Sequence, residues 1–392
     1  MKRIAFITCF LVFANFLFAS PCVSESSNLF GMDLYALLSQ ESGNVFVSPF
    51  SISSALAMTY IGAVGNTAQQ MRQVLHFDLA DQELHSGFSR LIRSMNEPKK
   101  DYQLSVVNAI WAQEGYAFKE DFLQQIEAYY QAGFNLVDFI NDRTNARKTI
   151  NDWIEENTKG KIKNMIKENN INALTRLILT NAIYFKGSWQ KPFDPSATEL
   201  RPFYVSRDTE KEVQMMWQRS DFRYTNDNLV QVLELPYSGS GVSMIVILPK
   251  EERTLHEVEQ QLSLELFKRW ISNLKMESVE VYLPKFRIEC RLELRTVLMN
   301  MGMSDAFTDA ADFSGMDGTK KLKIQNVIHQ SFVEVDEKGT EAAAATAVIV
   351  GIKASPYGEK YVVFKADRPF LFILYDKTHD LILFMGRLSN PE

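Results

Sequence analysis

With 392 residues, 46% of them apolar and 23% charged, the chain has ordinary globular composition and enough apolar material for a sizeable core. A net charge of −6 excludes the basic footprint that a general nucleic-acid binder needs. Three cysteines, Cys9, Cys22 and Cys290, make a disulfide framework an unsuitable reading, and no Asn-x-Ser/Thr sequon offers a glycosylation site.

Lys2 and Arg3 precede an apolar run from Ile4 to Phe18, followed by small residues at Ala19, Ser20 and Ser24. This is the layout of a secretory signal peptide, and the run is short of the about 20 residues that cross a bilayer. Cleavage is expected after Ala19, Ser20 or Ser24, with residues 1–24 as signal, residues 25–392 as one domain, and an extracellular location (periplasmic in a bacterium). No other stretch approaches membrane-spanning length, so no membrane role is expected.

Leu29, Phe30, Leu34, Leu37 and Leu38 recur at helical spacing, and Gly43-Asn44 ends that unit. Ser48-Pro49 opens a second helix with Ile52, Leu56 and Tyr60 on one face. Further helices are expected over Ala68 to Leu75 and Gln82 to Met95, the latter broken by Asn96-Glu97-Pro98. Leu104 to Trp111 reads as a strand, and Asn145 to Asn157 as an amphipathic helix. Leu177 to Phe185 is almost entirely apolar, as suits a strand covered on both faces. Strands dominate the second half. Val230 to Leu235 and Val242 to Leu248 flank the hairpin turn Ser238-Gly239-Ser240-Gly241. Val279, Val281 and Leu283 alternate, and Phe370 to Tyr375 pairs with Leu381 to Met385. With no repeat or linker, a single α+β domain fits best.

No catalytic or metal-binding constellation is visible. The five histidines, His76, His85, His256, His329 and His379, belong to no His-Glu-x-x-His motif, and neither Cys-x-x-Cys nor Gly-x-Ser-x-Gly occurs. An enzyme is not expected, nor a metal or an obligatory cofactor. His329, in the run Val327-Ile328-His329, reads by itself as a hydrogen-bonded core residue.

One stretch resists a single local conformation. From Glu337 to Ala347 the chain reads Glu-Lys-Gly-Thr-Glu-Ala-Ala-Ala-Ala-Thr-Ala, and a β-branched run follows from Val348 to Ile352. Alanine favours helix, whereas valine and isoleucine favour strand. As a strand, Thr340, Ala342, Ala344, Thr346, Val348 and Val350 share one face, all small or β-branched, with Glu341 on the other.

Gly339, Thr340, Glu341, Ala342, Ala343, Ala344, Ala345 and Thr346 together resemble the reactive-loop hinge of inhibitory serpins. Other stretches resemble the same family: Asn44-Val45-Phe46-Val47-Ser48-Pro49-Phe50-Ser51, Thr180 to Trp189, Phe364 to Ile373, and Gly386-Arg387-Leu388-Ser389-Asn390-Pro391. The resemblance implies a serpin fold, about nine helices around three β-sheets, with an exposed reactive-centre loop over about residues 337–360. It implies a scissile bond between Lys353 and Ala354, where a lysine would suit the acidic pocket of a trypsin-like serine protease. Displacement of the bond to Ile352 or Ala354 would suit chymotrypsin-like or elastase-like targets, and a cysteine protease is a further alternative. Ser48, Ser51, Asn181 and His329 would form a polar cluster where the main sheet parts. Trp189, Lys285 and Glu337 would meet where the loop enters, although Lys285 and Glu337 can also be read as surface charges. The implied activity is that of a monomer which traps its protease in a covalent 1:1 complex by inserting the cleaved loop. A non-inhibitory carrier or chaperone is the alternative. Arg90, Arg93, Lys99 and Lys100 could hold a glycosaminoglycan, but among acidic neighbours they read first as a solvated face.

Overall fold

The computed structural model describes residues 22–97, 102–130, 133–239, 241–340 and 360–391. The first half is mainly helical. α1 (Val23–Leu38) buries Phe30, Leu34 and Leu38, and begins upstream of the expected boundary at residue 25 because Val23 packs onto Gly87, where a Cβ would lie 2.5 Å from it. After the short β1 (Val45–Val47), α2 (Pro49–Tyr60) is buried along its whole length. Ser48 caps it by accepting from the Ser51 N–H at 3.3 Å, and Pro49 takes the first helical position, where no N–H is needed. α3 (Gly65–Val74) and α4 (Asp81–Asn96) follow. β2 (Tyr102–Gln113), α5 (Glu120–Tyr130) and β3 (Phe134–Val137) lead to α6 (Arg143–Asn157), capped by Asp142. β4 (Leu177–Ser188) is the buried strand that its apolar run predicts, extended by three residues.

The second half is mostly strand: β5 (Glu199–Ser206), β6 (Thr209–Asn226), β7 (Val230–Pro236) and β8 (Val242–Pro249). α7 (Leu255–Glu259) and α8 (Leu264–Asn273) precede β9 (Lys275–Pro284) and β10 (Phe286–Glu293). Two short helices, α9 (Arg295–Asn300) and α10 (Ser314–Asp317), lead to β11 (Asn326–Asp336) and the two-residue β12 (Gly339–Thr340). β13 (Val362–Lys365), β14 (Phe370–Asp376) and β15 (Leu381–Leu388) complete the chain.

Among the described residues these strands form two hydrogen-bonded sheets, not the three expected. The reason is β6. At 18 residues it is long enough to pair with β5 near its start, with β9 along its centre and with β7 at its end, so two smaller sheets become one of nine strands. The second sheet has six strands in the order β10-β11-β12-β4-β2-β3, with β11 also pairing directly to β4. Ten α-helical segments among the described residues surround the sheets.

Two apolar cores result. The larger lies between the sheets and around α1 and α2. The smaller lies on the outer face of the six-stranded sheet, where Ile150 and Ile154 of α6, with Ile162, Met165 and Ile166 beyond it, cover Ile178 and Ala182 of β4 and Ile328 of β11. A helix and its following connection therefore lie across the seam between β4 and β11.

Candidate functional site

The seam has two different states along its length. Below, β11 and β4 pair in parallel over seven residue pairs, from Asn326 opposite Ile178 to Phe332 opposite Tyr184. Above, the strands separate and β12 fills the gap, Thr340 pairing with Val335 on one side and Gly187 on the other. Gly339 has φ +149°, and a Cβ there would come within 2.0 Å of the Gly187 carbonyl oxygen, so only glycine can make this entry. Thr340 is buried, and its hydroxyl lies 2.6 Å from that of Tyr237.

Around this entry the structure brings together Trp189, Lys285 and Glu337, with Thr198 and Tyr237 beside them. Trp189 donates from Nε1 to the Asp336 carbonyl at 3.0 Å, and its backbone N–H donates to Lys338 at 2.8 Å. Its ring stacks on Tyr237 with centroids 4.5 Å apart. Lys285 reaches Glu337 at 3.0 Å, and Thr198 donates to the same carboxylate at 2.9 Å. Glu337 is only 8% exposed, whereas the Lys285 side chain is 39% exposed, so the pair has a buried carboxylate end and a cation that reaches water. Burial pushes the Glu337 carboxyl up, but its backbone hydrogen bond, Lys285 and Thr198 together outweigh that and hold it below the usual range. Tyr237 and Thr198 were not legible in the sequence. Both belong to the site through tertiary packing, and neither has a spacing signal.

Ser48, Ser51, Asn181 and His329 meet beneath the entry, all fully buried. The Ser48 N–H donates to His329 Nε2 at 3.3 Å, and the Ser48 hydroxyl donates to Leu383 at 2.6 Å. Because Nε2 accepts, the proton resides on Nδ1, which donates to Asn181 Oδ1. Asn181 in turn donates to Ser51 Oγ. Burial takes His329 from 6.5 down to about 3, so the imidazole is neutral. The cluster is wider than expected, since Asn108 of β2 accepts from Asn181 and from Ser51 Oγ, the latter at 3.2 Å, and donates to Ser54. Asn108 is opposite Asn181, and Asn181 opposite His329, so three polar residues line up across β2, β4 and β11. Asn108 did carry a signal, as one amide within the apolar run Val106 to Trp111.

Glu341, Ala342, Ala343, Ala344, Ala345, Thr346, Lys353 and Ala354 lie outside the described residues, as do Lys99, Lys100 and the N-terminal leader. Arg90 and Arg93 are exposed on α4. Among the described residues no group of His, Cys, Asp and Glu could hold a metal, and no helix is long and apolar enough to cross a membrane.

A family model described as serpin (serine protease inhibitor) matches residues 25–391. A serpin-like protein of Thermococcus kodakarensis is 43% identical over 371 residues, covering 94% of this chain and 86% of that one. The leukocyte elastase inhibitor of Bos taurus is 42% identical over 379 residues, covering 94% and 99%. The solved structure of human thyroxine-binding globulin superposes with a TM-score of 0.86 at 32% identity, covering 94% of this chain and 98% of that one. The chain belongs to the serpin family. Serpins are not themselves enzymes; the family inhibits serine proteases through a covalent complex, and some of its members are non-inhibitory.

Proposed function

We propose that this serpin is a single-use inhibitor of trypsin-like serine proteases, exported and acting as a monomer. The observation that carries this reading is the position of Gly339 and Thr340, two residues of the loop already paired between β11 and β4 above a closed seam. Insertion has a start point, and it needs only to continue. Thr340 is directed toward Tyr237, and in a strand continued from it alternation would turn Ala342, Ala344 and Thr346 to the same side. Those side chains are small enough to pass between two strands.

The protease attacks the bond between Lys353 and Ala354 and is acylated at its serine. The freed segment, Thr340 to Ile352, then enters as a new strand and replaces the β4–β11 pairing on both sides. At about 25 cal/mol per Å² the inward side chains contribute several kcal/mol, and new ladder hydrogen bonds add to this. The acylated protease is carried with the segment, and its catalytic geometry is lost before water releases the acyl group. Insertion must break the His329–Asn181 hydrogen bond and slide beneath the connection after α6, so the seam sets the rate of this race.

Trypsin mixed with the protein is expected to give an SDS-resistant 1:1 complex, and the released C-terminal fragment should begin at Ala354. Cleavage without a complex would contradict the inhibitory reading. The match to a leukocyte elastase inhibitor favours a second version, in which elastase is trapped and the fragment begins one residue away. The likeness to thyroxine-binding globulin keeps a carrier as the alternative, which predicts no complex with either protease. Export follows from the basic and apolar N-terminus. Since Val23 and Ser24 are buried in α1, cleavage after Ala19 or Ser20 leaves the helix whole, whereas cleavage after Ser24 would not.

A further inference from the structure

A groove of about 1110 Å³ lies on the side of the molecule between the start of α1, the outer face of α4 and the turn joining β14 to β15. None of the seam residues lines it, and the inhibitory reading gives it no task. At one end three side chains meet in a relation that a search of the sequence could not find, because Ser94 and His379 are separated by 285 positions. The Ser94 hydroxyl lies 3.3 Å from His379 Nε2. His379 Nδ1 lies 2.7 Å from Asp376 Oδ2. Asp376 is 3% exposed, and its other oxygen accepts the backbone N–H of Thr378 at 2.8 Å and of His379 at 3.3 Å.

Each link has a chemical consequence. The two backbone donors fix the Asp376 carboxylate, which can then only accept from His379 Nδ1. That places the imidazole proton on Nδ1 and leaves the Nε2 lone pair facing the Ser94 hydroxyl. The His379 side chain is 29% exposed, so the pair faces the groove and is not sealed in the core. Arg90, four residues before Ser94 on α4, lines the same groove with its guanidinium turned back toward Gly87. Nucleophile, base and orienting acid with an adjoining cleft are the parts that acyl transfer to serine requires.

We propose that Ser94 is an acyl-acceptor site, modified by activated carboxylic esters with His379 as the base. Ser94 Oγ attacks the ester carbonyl carbon, and its proton passes to His379 Nε2. The new Oγ–C bond forms as the bond to the leaving alkoxide or phenolate breaks, and the leaving group departs with the electron pair and takes up the proton from His379. Asp376 is a positioning residue. The step is a single acyl transfer. The Ser94 N–H is inside α4 and committed to the helix ladder, so it does not meet the developing oxyanion, which makes the reaction slow beside that of a hydrolase.

The test is to incubate the mature chain with p-nitrophenyl acetate, follow p-nitrophenolate release, and map the acetyl group by peptide mass spectrometry. One acetyl per chain on Ser94 is expected. Ser94→Ala should lose it without a change in melting temperature, and Ser94→Cys should keep position 94 labelled. His379→Ala should slow labelling about 100-fold, and added imidazole should restore it. Asp376→Asn should also slow labelling but gain nothing from imidazole, because His379 still fills the site. Acetyl groups scattered over lysines with Ser94 unmodified would overturn the proposal. So would a His379→Ala protein that labels at the original rate.

Discussion

His329 of β11 and Asn181 of β4 stand opposite each other in the parallel ladder and are joined by a hydrogen bond from Nδ1 to Oδ1 across the seam. That bond can exist only while the two strands are neighbours. It also depends on a neutral imidazole whose other nitrogen accepts from the Ser48 N–H at 3.3 Å.

The first prediction concerns pH. His329 titrates at about 3 in the folded chain, against 6.5 for an ordinary histidine. Between those values the unfolded chain binds a proton that the folded chain does not, so stability is complete above the upper value and declines as pH falls toward the lower. The decline is on the order of a few kcal/mol. The urea midpoint should therefore drop between pH 7 and pH 4. In His329→Gln it should begin lower and fall less. The slope that remains belongs to His85, which burial lowers to about 4, and at the acid end to carboxyls held low, Glu337 and Glu234 among them. An equal slope in His329→Gln would refute the assignment.

How much of this was legible in the sequence differs from element to element. The apolar run of β4 and the alternation of β9 identify themselves, because burial on both faces and on one face leave different periods. Ser48, Asn181 and His329 were found through family resemblance, since nothing in local spacing joins residues so far apart. Asn108 was missed because one amide in a strand carries no direction until its register with Asn181 is known. The extra length of β6 and its merging of two sheets were also missed. Its polar residues, such as Gln218, Arg219 and Asp221, hide a strand whose stability comes from partners on both sides. Ser94 and His379 were individually visible, but only folding brings them together.

A second prediction follows from the entry glycine. Gly339→Ala places a methyl group against the Gly187 carbonyl at a φ that alanine rarely adopts. The expected cost is about 1–3 kcal/mol, taken from the two residues that begin insertion. More molecules should then be cleaved as substrate per complex formed. The ratio of inhibitor to trypsin needed for full inhibition measures this, and it should rise. An unchanged ratio would show that insertion does not start from β12.

The third prediction separates the Lys285–Glu337 pair from ordinary surface charge. Lys285→Met leaves a mostly buried carboxylate with only Thr198 and a backbone N–H to answer it. Destabilisation of about 1–2 kcal/mol is expected, more than an exposed pair gives. Glu337→Gln in the same background should recover part of it. The double-mutant cycle, read from urea midpoints at pH 7, gives the coupling directly. A coupling near zero would return both residues to the solvated surface.

The fourth prediction rests on the connection between α6 and β4. Arg291 of β10 donates from Nε to the Met165 carbonyl at 2.9 Å and from a guanidinium nitrogen to Asn170 at 2.7 Å. Asn170 donates to Glu293 at 2.9 Å, and Asn326 of β11 donates to the Asn170 carbonyl at 3.3 Å. Since β10 and β11 lie on one side of the seam and β4 on the other, these bonds tie the covering connection to the far side. An entering strand must lift it. Arg291→Met keeps the apolar contacts of Met165 and Ile166 but removes two of these four bonds, at a cost of about 1–3 kcal/mol for the groups left unpaired. The variant should insert its loop faster after cleavage, followed by Trp153 fluorescence on α6, and should trap trypsin with fewer molecules lost as substrate. It should also convert more readily, on warming without protease, to a form that no longer inhibits. If Arg291→Met inserts no faster than the parent, the barrier lies in the β4–β11 ladder itself and the connection only covers it.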